Sequence, residues 1–365
     1  MDTDVLVVGA GPAGLATSQQ LSHHSVAHRV LERGDTVGHT WANLYDSLVL
    51  HTGKRMSSLP GLPFPRGYPT FVSRADFLAY LRHYRETFAV PVETGNEVRR
   101  LERTADGWAA QIDGRQVRAR AVVMATGIVA NPVIPELPGR ARFRGQVIHS
   151  VEYRRPDPFR GRRILIVGVG NSGGEIGAEL AQAGNAVTIA VRSGANVVPR
   201  EILGIPIQYI AHYVRKLPRP GQRVVVSMVR RITIIRRGPP VLPPSPVFPL
   251  DAVPVIGFHL VDAIKAGAVQ VRPAIAELTA SGARFTDGRE EPFDTVILAT
   301  GFHAALGPLG NLVTTTPKGF ARRTDRVTSA DQPGLFFVGH NYDSGGGLAN
   351  IGIDAKLVAG ILSAG

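Results

Sequence analysis

The chain has 365 residues, 44% of them hydrophobic and 19% charged, so it is long enough to bury the cores of two or three domains. Its formal net charge of +12 indicates an anionic partner, such as a phosphorylated cofactor, a nucleic acid or a membrane surface. The chain has no cysteine, which excludes a disulfide framework, a thiolate metal site, an iron–sulfur cluster and a cysteine nucleophile.

Residues 1–4 read Met-Asp-Thr-Asp and lack the basic start and the long apolar run of a secretory signal. No uncharged apolar run approaches the ~18 residues that span a bilayer. We therefore expect a soluble, cytoplasmic protein without a transmembrane segment.

The first recognisable unit is a strand, a glycine turn, a helix and a second strand. The apolar run at 5–8 leads into Gly-Ala-Gly-Pro-Ala-Gly at 9–14, then a helix over about 15–22 and a strand at 27–31 that ends in Glu32. In a dinucleotide-binding fold the first glycine permits the tight turn, the second admits the pyrophosphate, and the third lets the helix pack on the strand. The pyrophosphate rests on the helix N-terminus, and the acid accepts hydrogen bonds from a ribose diol.

A second helix is predicted to begin near Ser73, because Ser73 and Asp76 have the spacing of a capping box. Apolar side chains then recur at helical spacing, and we expect them to belong to the core. They are Phe77, Leu81, Tyr84 and Phe88.

The order of the first unit recurs in the middle of the chain. A strand at 164–167 leads into Gly-Val-Gly-Asn-Ser-Gly at 168–173, then a helix to about Gln182 and a strand at 186–191, followed by Arg192. A carboxylate after the second strand suits a free ribose hydroxyl and repels a phosphate, whereas arginine offers a fork for a 2′-phosphate. The two copies therefore predict FAD at the first site and NADPH at the second.

Eight basic residues and no acid lie in residues 215–237, interleaved with valines and isoleucines. We favour a helix of the nucleotide domain with a solvated basic face; the alternatives are a partner interface or an amphipathic helix on an acidic membrane surface. Nucleic-acid binding is not expected, because no recognised binding module accompanies the charge. Residues 239–254 carry seven prolines and are predicted to form an ordered loop or hinge.

Two apolar strands end in the same tripeptide, Ala-Thr-Gly, at 125–127 and 299–301. Each is predicted to be the return strand of a nucleotide domain or its crossover, with the glycine letting the backbone pass near the cofactor. Near the C-terminus a strand leads to Gly339, and three glycines at 345–347 open a helix over about 348–362. Such a helix N-terminus suits contact with an anion or a flavin ring; a surface loop and terminal helix is the alternative.

These elements predict an α/β fold of two dinucleotide-binding, Rossmann-like domains, with the NADPH-binding domain inserted into the FAD-binding domain. We expect the FAD-binding domain at 1–150 and 290–365 and the NADPH-binding domain at 151–289. Prolines at 132, 135 and 138 mark the first crossing.

Residues 143–153 fit the pattern F-x-G-x-x-x-H-x-x-x-(Y/F), and the chain thereby resembles class B flavin-dependent monooxygenases. The final Tyr153 resembles the N-hydroxylating and plant-auxin branches; Baeyer–Villiger members usually end in Trp. The resemblance is close to YUCCA-type indole-3-pyruvate monooxygenases over nearly the whole chain. It departs at 238–254 and 339–343, which are expected to line the substrate site. The matching positions are Leu31–Arg33, Trp41, Tyr45, Asp46, Leu48, Leu50–Thr52, Lys54, Leu59, Pro60, Pro63–Pro65, Gly170–Gly173, Glu175, Val191, Arg192 and Pro199–Glu201.

The resemblance implies that NADPH reduces FAD and that oxygen then adds at flavin C4a to give a (hydro)peroxide. This species transfers one oxygen atom to an amine or a sulfide, or attacks the carbonyl of a 2-oxo acid such as indole-3-pyruvate with loss of carbon dioxide. The protein is expected to supply binding and exclusion of water, without a metal and without a Ser–His–Asp triad. It is expected to be a monomer or a homodimer.

The candidate catalytic residues are His51 and Lys54, placed where many relatives have an Asn that steadies the peroxide. His51 is expected to donate a hydrogen bond there, with a structural role as the alternative, and His149 is expected to be architectural. The cofactor-binding candidates from the motifs and the resemblance are Gly9, Gly11, Pro12, Ala13, Gly14, Glu32, Arg33, Trp41, His51, Thr126, Gly127, Gly168, Gly170, Asn171, Ser172, Gly173, Arg192, Ser193, Thr300, Gly301, Gly339 and Asn350.

Two rival functions stay open at this point. One is an NADPH:acceptor flavin reductase that inserts no oxygen. The other is a cofactor-bound sensor or a membrane-docked partner protein that uses the basic stretch. Disulfide reductases of this type are excluded, because they require a redox cysteine pair beside the flavin and the chain has no cysteine.

Overall fold

The computed structural model describes residues 1–341, 343 and 345–364. The strands in this part of the chain are β1 Thr3–Val8, β2 His28–Leu31, β3 Val92–Glu93, β4 Arg100–Thr104, β5 Gly107–Ile112, β6 Arg115–Met124, β7 Gln146–His149, β8 Arg163–Val167, β9 Ala186–Ala190, β10 Val197–Val198, β11 Glu201–Ile202, β12 Ile205–Pro206, β13 Val255–Ile256, β14 Val269–Arg272, β15 Ile275–Leu278, β16 Gly282–Phe285, β17 Glu290–Pro292, β18 Thr295–Leu298 and β19 Leu335–Phe337. The α-helices are α1 Pro12–His23, α2 His39–Ala42, α3 Lys54–Ser57, α4 Arg74–Thr87, α5 Asn171–Gln182, α6 Ile207–Val214, α7 Arg219–Arg237, α8 His259–Lys265 and α9 Gly347–Ser363.

The chain divides into two compact units, and the second is inserted into the first. Unit 1 comprises residues 1–131 and 302–365, and unit 2 comprises 132–301. The boundaries predicted from the sequence lie elsewhere, at 150/151 and 289/290. They differ because β7 and β18 pair in parallel with each other, and β18 pairs with β8, so all three strands belong to the sheet of unit 2.

The main sheet of unit 1 has the order β3-β2-β1-β6-β5-β4, with β19 also pairing with β6. β1 lies between β2 and β6 and runs parallel to both, so that Val5 pairs with His28 on one side and Ala121 on the other. β6 is therefore the predicted return strand. β4 and β5 extend the sheet in antiparallel pairing.

The sheet of unit 2 is parallel throughout and has the order β14-β9-β8-β18-β7. β8 lies between β9 and β18, as β1 lies between β2 and β6, which confirms the return strand predicted at the second Ala-Thr-Gly. A small antiparallel sheet of β15, β16 and β17 completes this unit together with two short strand pairs. In open α/β sheets, ligands bind at the carboxyl ends of the strands where the strand order reverses.

The helices follow the sequence pattern with small differences at their ends. α1 begins at Pro12 rather than near residue 15, since proline is favoured at the first position of a helix. α4 has the predicted cap, because the Ser73 side chain accepts a hydrogen bond from the amide of Asp76. Its apolar face is buried as expected at Phe77, Leu81 and Tyr84, and Phe88 is half-buried.

The basic stretch forms α7, a 19-residue helix. Residues 239–254 contain neither helix nor strand, as their prolines predicted. Among the described helices, none combines the length and the apolar character needed to cross a membrane.

Candidate functional site

The first glycine of each turn has a backbone conformation that requires glycine. Gly9 and Gly168 both have a φ of +106°, a region that other residues rarely adopt. A Cβ on Gly9 would lie 2.7 Å from the carbonyl oxygen of Ala125, and one on Gly168 would lie 2.6 Å from that of Ala299. The alanine of each Ala-Thr-Gly therefore lies against the first glycine of its turn, which explains why the tripeptide recurs.

The second glycine of each turn is required neither by backbone nor by packing. Gly11 has a φ of −79° and Gly170 a φ of −74°, both accessible to any residue. A Cβ at either position would meet no described atom within 4 Å. Each glycine caps the N-terminus of a helix, where backbone N–H groups lack partners within the helix. The space left by the missing side chain thus fits a pyrophosphate at each helix N-terminus.

The third glycine lets each helix approach the turn. A Cβ on Gly14 would lie 1.8 Å from the carbonyl oxygen of Gly9, and one on Gly173 would lie 2.2 Å from that of Gly168. Both positions are therefore closed to any side chain. The two turns are equivalent at all three glycines.

The residues between these glycines have different roles in the two copies. Pro12 and Ala13 are buried in the first turn of α1. Asn171 is tied to the end of the proline-rich segment, since its side-chain amide donates to the carbonyl of Pro254 and its oxygen accepts from the amide of Ile256. Ser172 is half-buried. The hydrogen bonds of Asn171 show a structural function for that side chain.

The Glu32 carboxylate is held at the carboxyl end of β2 by two backbone amides. One oxygen accepts from Ala10 at 2.7 Å and the other from Gly34 at 2.9 Å. The residue is only 7% exposed, so the carboxylate is fixed in place. Each oxygen keeps a lone pair that can accept a hydrogen bond from a ribose hydroxyl. Arg33, the next residue, is exposed.

Arg192 occupies the position after β9 that is equivalent to Glu32 after β2, but no hydrogen bond from a described residue fixes its side chain. It is exposed, as is Ser193, and the described residues offer its guanidinium neither an ion pair nor a hydrogen bond. A cation without an internal partner is available to an anionic ligand. Arg200, which the motifs alone did not select, is another arginine of unit 2; burial lowers its pKa, opposed by the nearby carboxylate of Glu175.

In both Ala-Thr-Gly turns the threonine hydroxyl donates a hydrogen bond to a backbone carbonyl of the same unit. Thr126 donates its hydroxyl to the carbonyl of Ala305 at 2.7 Å, within unit 1. Thr300 donates to the carbonyl of Val133, within unit 2. Gly127 and Gly301, with φ of +70° and +89°, follow them, and a Cβ on either glycine would meet no described atom within 4 Å.

Lys54 serves as an anchor for a neighbouring loop. Its ammonium group donates to the backbone carbonyls of residues 65, 66 and 68, which accounts for all three of its N–H groups. His51 is half-buried just before α3. Trp41 packs edge-on against Phe77 with ring centroids 4.6 Å apart. Of the two candidate catalytic residues, Lys54 therefore has its ammonium group occupied by backbone carbonyls.

Asn350 belongs to a half-buried polar network that the sequence did not predict. Its amide donates to the carbonyl of Asn341, and its oxygen accepts from Arg326 at 2.8 Å. Arg326 also binds the fully buried Asp354 at 2.6 Å. Burial raises the pKa of Asp354, and hydrogen bonds from Asn341 and Arg326 oppose that rise. Because each contact joins residues distant in sequence, no local motif reports it.

The chain turns sharply before this network. Gly339 has a φ of +83°, and a Cβ there would lie 3.3 Å from the Cβ of Ala13 on α1. Tyr342 belongs to the loop that was expected to line the substrate site, and it lies outside the described residues.

The segment 143–153, which carries the resemblance, is built into unit 2. A Cβ on Gly145 would lie 2.6 Å from the carbonyl oxygen of Asp294, so glycine is needed there. Burial lowers the pKa of His149, whose Nδ1 accepts from the amide of Val151. Tyr153 is fully buried and donates to Glu179 of α5 at 2.8 Å. These contacts give the segment a structural role.

His340 provides a prediction about stability and pH. It is 2% exposed and packs against Phe320 and Phe337, with ring centroids 5.9 and 5.2 Å away. Burial, aided by the positive charge of Arg323, lowers the pKa of His340 to about 3 from the ordinary value of 6.5. The unfolded chain therefore binds a proton first as the pH falls below 6.5, and stability is lost between the two pKa values.

We expect the free energy of unfolding to fall through this group by about 2 kcal/mol between about pH 7.5 and about pH 5. Urea unfolding of the wild type and of His340→Leu at the two pH values measures the effect. The variant should lose correspondingly less stability on acidification. An identical pH dependence in the two proteins would refute the assignment.

The chain matches a protein-family model, named relatives and solved structures. The model of the flavin-binding monooxygenase-like family matches residues 2–319. The indole-3-pyruvate monooxygenase YUCCA1 of Oryza sativa subsp. japonica is 37% identical over 310 residues, which cover 82% of this chain and 76% of that protein. The probable indole-3-pyruvate monooxygenase YUCCA1 of Arabidopsis thaliana is 33% identical, over 81% and 75% of the two chains.

Among solved structures, the flavin-containing monooxygenase from Stenotrophomonas maltophilia is similar with a TM-score of 0.80 and 27% identity, over 100% of this chain and 99% of that one. The family match covers both glycine turns and the segment between them. The expected cofactors, FAD and NADPH, agree with this relationship. The chain belongs to the flavin-binding monooxygenase-like family.

Proposed function

We propose that unit 1 binds FAD, that unit 2 binds NADPH, and that the protein inserts one atom of molecular oxygen into a 2-oxo acid of the indole-3-pyruvate type. The observation that carries the assignment of the two cofactors is the pair of equivalent glycine turns with opposite charges beside them. A buried, fixed Glu32 accompanies the first turn, and an exposed, unpaired Arg192 accompanies the second.

In unit 1 the space beside Gly11 would take the FAD pyrophosphate at the N-terminus of α1. Glu32 would accept hydrogen bonds from the ribose hydroxyls with the lone pairs that Ala10 and Gly34 leave available. Since a carboxylate repels a 2′-phosphate, this site discriminates against NADPH.

In unit 2 the space beside Gly170 would take the NADPH pyrophosphate at the N-terminus of α5. Arg192 would bind the 2′-phosphate with two N–H groups. Arg200 belongs to the same unit and is near Glu175 of α5, and we propose that it adds positive charge near the cofactor. Asn171 would act indirectly by fixing residues 254–256 beside α5.

When bound, the cofactors supply hydride transfer to the flavin and reduction of oxygen by the flavin. The protein would bind and orient the reactants and exclude water from them. His51 would donate a hydrogen bond to the oxygen that reacts at the flavin. Lys54 would hold the loop at 65–68 in place through its three carbonyl contacts.

The 2-oxo acid is favoured because relatives named as indole-3-pyruvate monooxygenases align over about four-fifths of the chain at up to 37% identity. Oxygenation of such an acid consumes one O₂ and one NADPH with a proton. It yields the acid shortened by one carbon, carbon dioxide, NADP⁺ and water.

The test uses purified holoenzyme, NADPH and ¹⁸O₂ with indole-3-pyruvate, and in parallel with a panel of amines and sulfides. We expect indole-3-acetate containing one ¹⁸O atom, formed in step with NADPH oxidation. Oxygenated amine or sulfide products in place of the acid would overturn the substrate assignment. Hydrogen peroxide in stoichiometric yield with every substrate would overturn the monooxygenase and support a flavin reductase. Because 2-oxo acids react with hydrogen peroxide, catalase is included in every reaction, and peroxide formation is measured from the net oxygen consumed per NADPH, which catalase halves when all NADPH oxidation produces peroxide.

A further inference from the structure

The segment 203–237 of unit 2 exposes a concentration of large apolar side chains. Elsewhere in the described chain only seven such side chains are exposed, spread over more than 300 residues. The nine in this segment are Leu203, Ile205, Tyr213, Leu217, Val224, Met228, Ile232, Ile234 and Ile235. A patch of this kind on a folded protein marks a contact surface.

The apolar side chains of α7 form a stripe. Val224, Met228, Ile232 and Ile235 recur at helical spacing and point away from the buried side of the helix, where Gln222 is covered. α6 packs against α7 and carries the exposed Tyr213.

The hairpin of β11 and β12 adds a further projection to the segment. Leu203 at its turn is 87% exposed and has a φ of +51°, a conformation that costs energy for a leucine. Neither burial nor backbone preference explains a leucine there, whereas insertion into an apolar phase does.

The same segment is strongly cationic. Residues 215–237 carry eight basic side chains and no acid. Two of them form ion pairs within unit 2, Arg219 with Asp251 and Arg237 with Asp262. Four exposed arginines on α7 have no ion pair or hydrogen bond from their side chains within the described chain; they are Arg223, Arg230, Arg231 and Arg236.

We infer that the segment 203–237 docks the protein on an anionic lipid bilayer, with α7 lying in the plane of the interface. Anionic headgroups would pair with the free arginines while the apolar stripe and Leu203 enter the headgroup and acyl boundary. The solvated basic face favoured from the sequence leaves the nine exposed apolar side chains unexplained. Self-association through this face would bring two strongly cationic surfaces together, and a nucleic acid would leave the apolar stripe in water.

The experiment is co-sedimentation of the full chain with phosphatidylcholine vesicles, with and without about one-third phosphatidylglycerol. We expect binding to the anionic vesicles alone, weakened by salt. The variant Arg223→Gln/Arg230→Gln/Arg231→Gln should bind at least about tenfold more weakly. The variant Val224→Ser/Met228→Ser/Ile235→Ser should also lose binding, because the apolar stripe then no longer enters the bilayer.

The matched control is Arg99→Gln/Arg100→Gln/Arg103→Gln, which removes the same charge from unit 1 and should bind like the wild type. Flavin content and melting temperature show that each variant is folded. The inference is overturned if the wild type stays in the supernatant, or if the control loses as much binding as the α7 variants. It is also overturned if light scattering shows a dimer that the serine variant abolishes while vesicle binding is unchanged.

Discussion

We expect Gly11→Val to give folded protein that no longer retains flavin. The backbone at Gly11 has a φ of −79°, so valine fits the conformation, and its Cβ would meet no described atom within 4 Å. The added methyl groups would instead occupy the space in which the pyrophosphate is proposed to lie. Flavin absorbance per protein, measured beside the far-ultraviolet circular dichroism spectrum, checks both parts of this expectation.

Two further substitutions act as matched controls. Gly170→Val should keep the flavin and lose NADPH binding, since the equivalent space lies in unit 2. Gly14→Val should fail to fold, because its Cβ would lie 1.8 Å from the carbonyl oxygen of Gly9. A yellow Gly11→Val protein with wild-type flavin content would contradict the proposed FAD site.

The sequence predicts the fold well because its strongest signals are local. The glycine spacing reflects a backbone at φ +106°, a helix N-terminus and a close contact within a few residues. The recurrence of Ala-Thr-Gly reflects one further contact, between the alanine carbonyl and the first glycine. Both return strands follow from that pattern, and both pair as predicted.

The domain boundaries could not be predicted from local sequence signals. β7 and β18 are separated by about 150 residues of sequence yet pair directly, with Thr295 opposite Gln146. The prolines at 132 and beyond do mark the first crossing, but β7 already belongs to unit 2. Strand order, rather than local composition, therefore decides where each unit ends.

Side-chain roles were the least predictable part of the site. Lys54 is a charged candidate catalytic residue, yet its ammonium group donates hydrogen bonds to three backbone carbonyls. Asn171 lies in the glycine turn, yet its amide is used by residues 254 and 256. Only the three-dimensional arrangement shows which polar groups keep hydrogen-bonding capacity for a ligand, and Glu32 and Arg192 are two that do.

We expect Arg192→Ala to abolish the preference for NADPH over NADH. The Michaelis constant for NADPH should rise about tenfold to a hundredfold, since a hydrogen bond to a charged group contributes about 1.5–3 kcal/mol. The constant for NADH, which has no 2′-phosphate, should be unchanged. Steady-state NADPH and NADH oxidation by the flavin-loaded enzyme gives both values.

Arg192→Lys separates the contribution of charge from that of geometry. Arg160→Ala is the control for the loss of an exposed arginine of unit 2. Lysine keeps the positive charge but offers a point charge instead of a planar fork, so it should recover part of the preference. Arg160 is also exposed in unit 2, but it already pairs with Asp157 at 2.9 Å, and its loss should leave the coenzyme preference unchanged. If Arg192→Ala keeps the wild-type ratio of the two constants, the assignment of the 2′-phosphate to Arg192 is wrong.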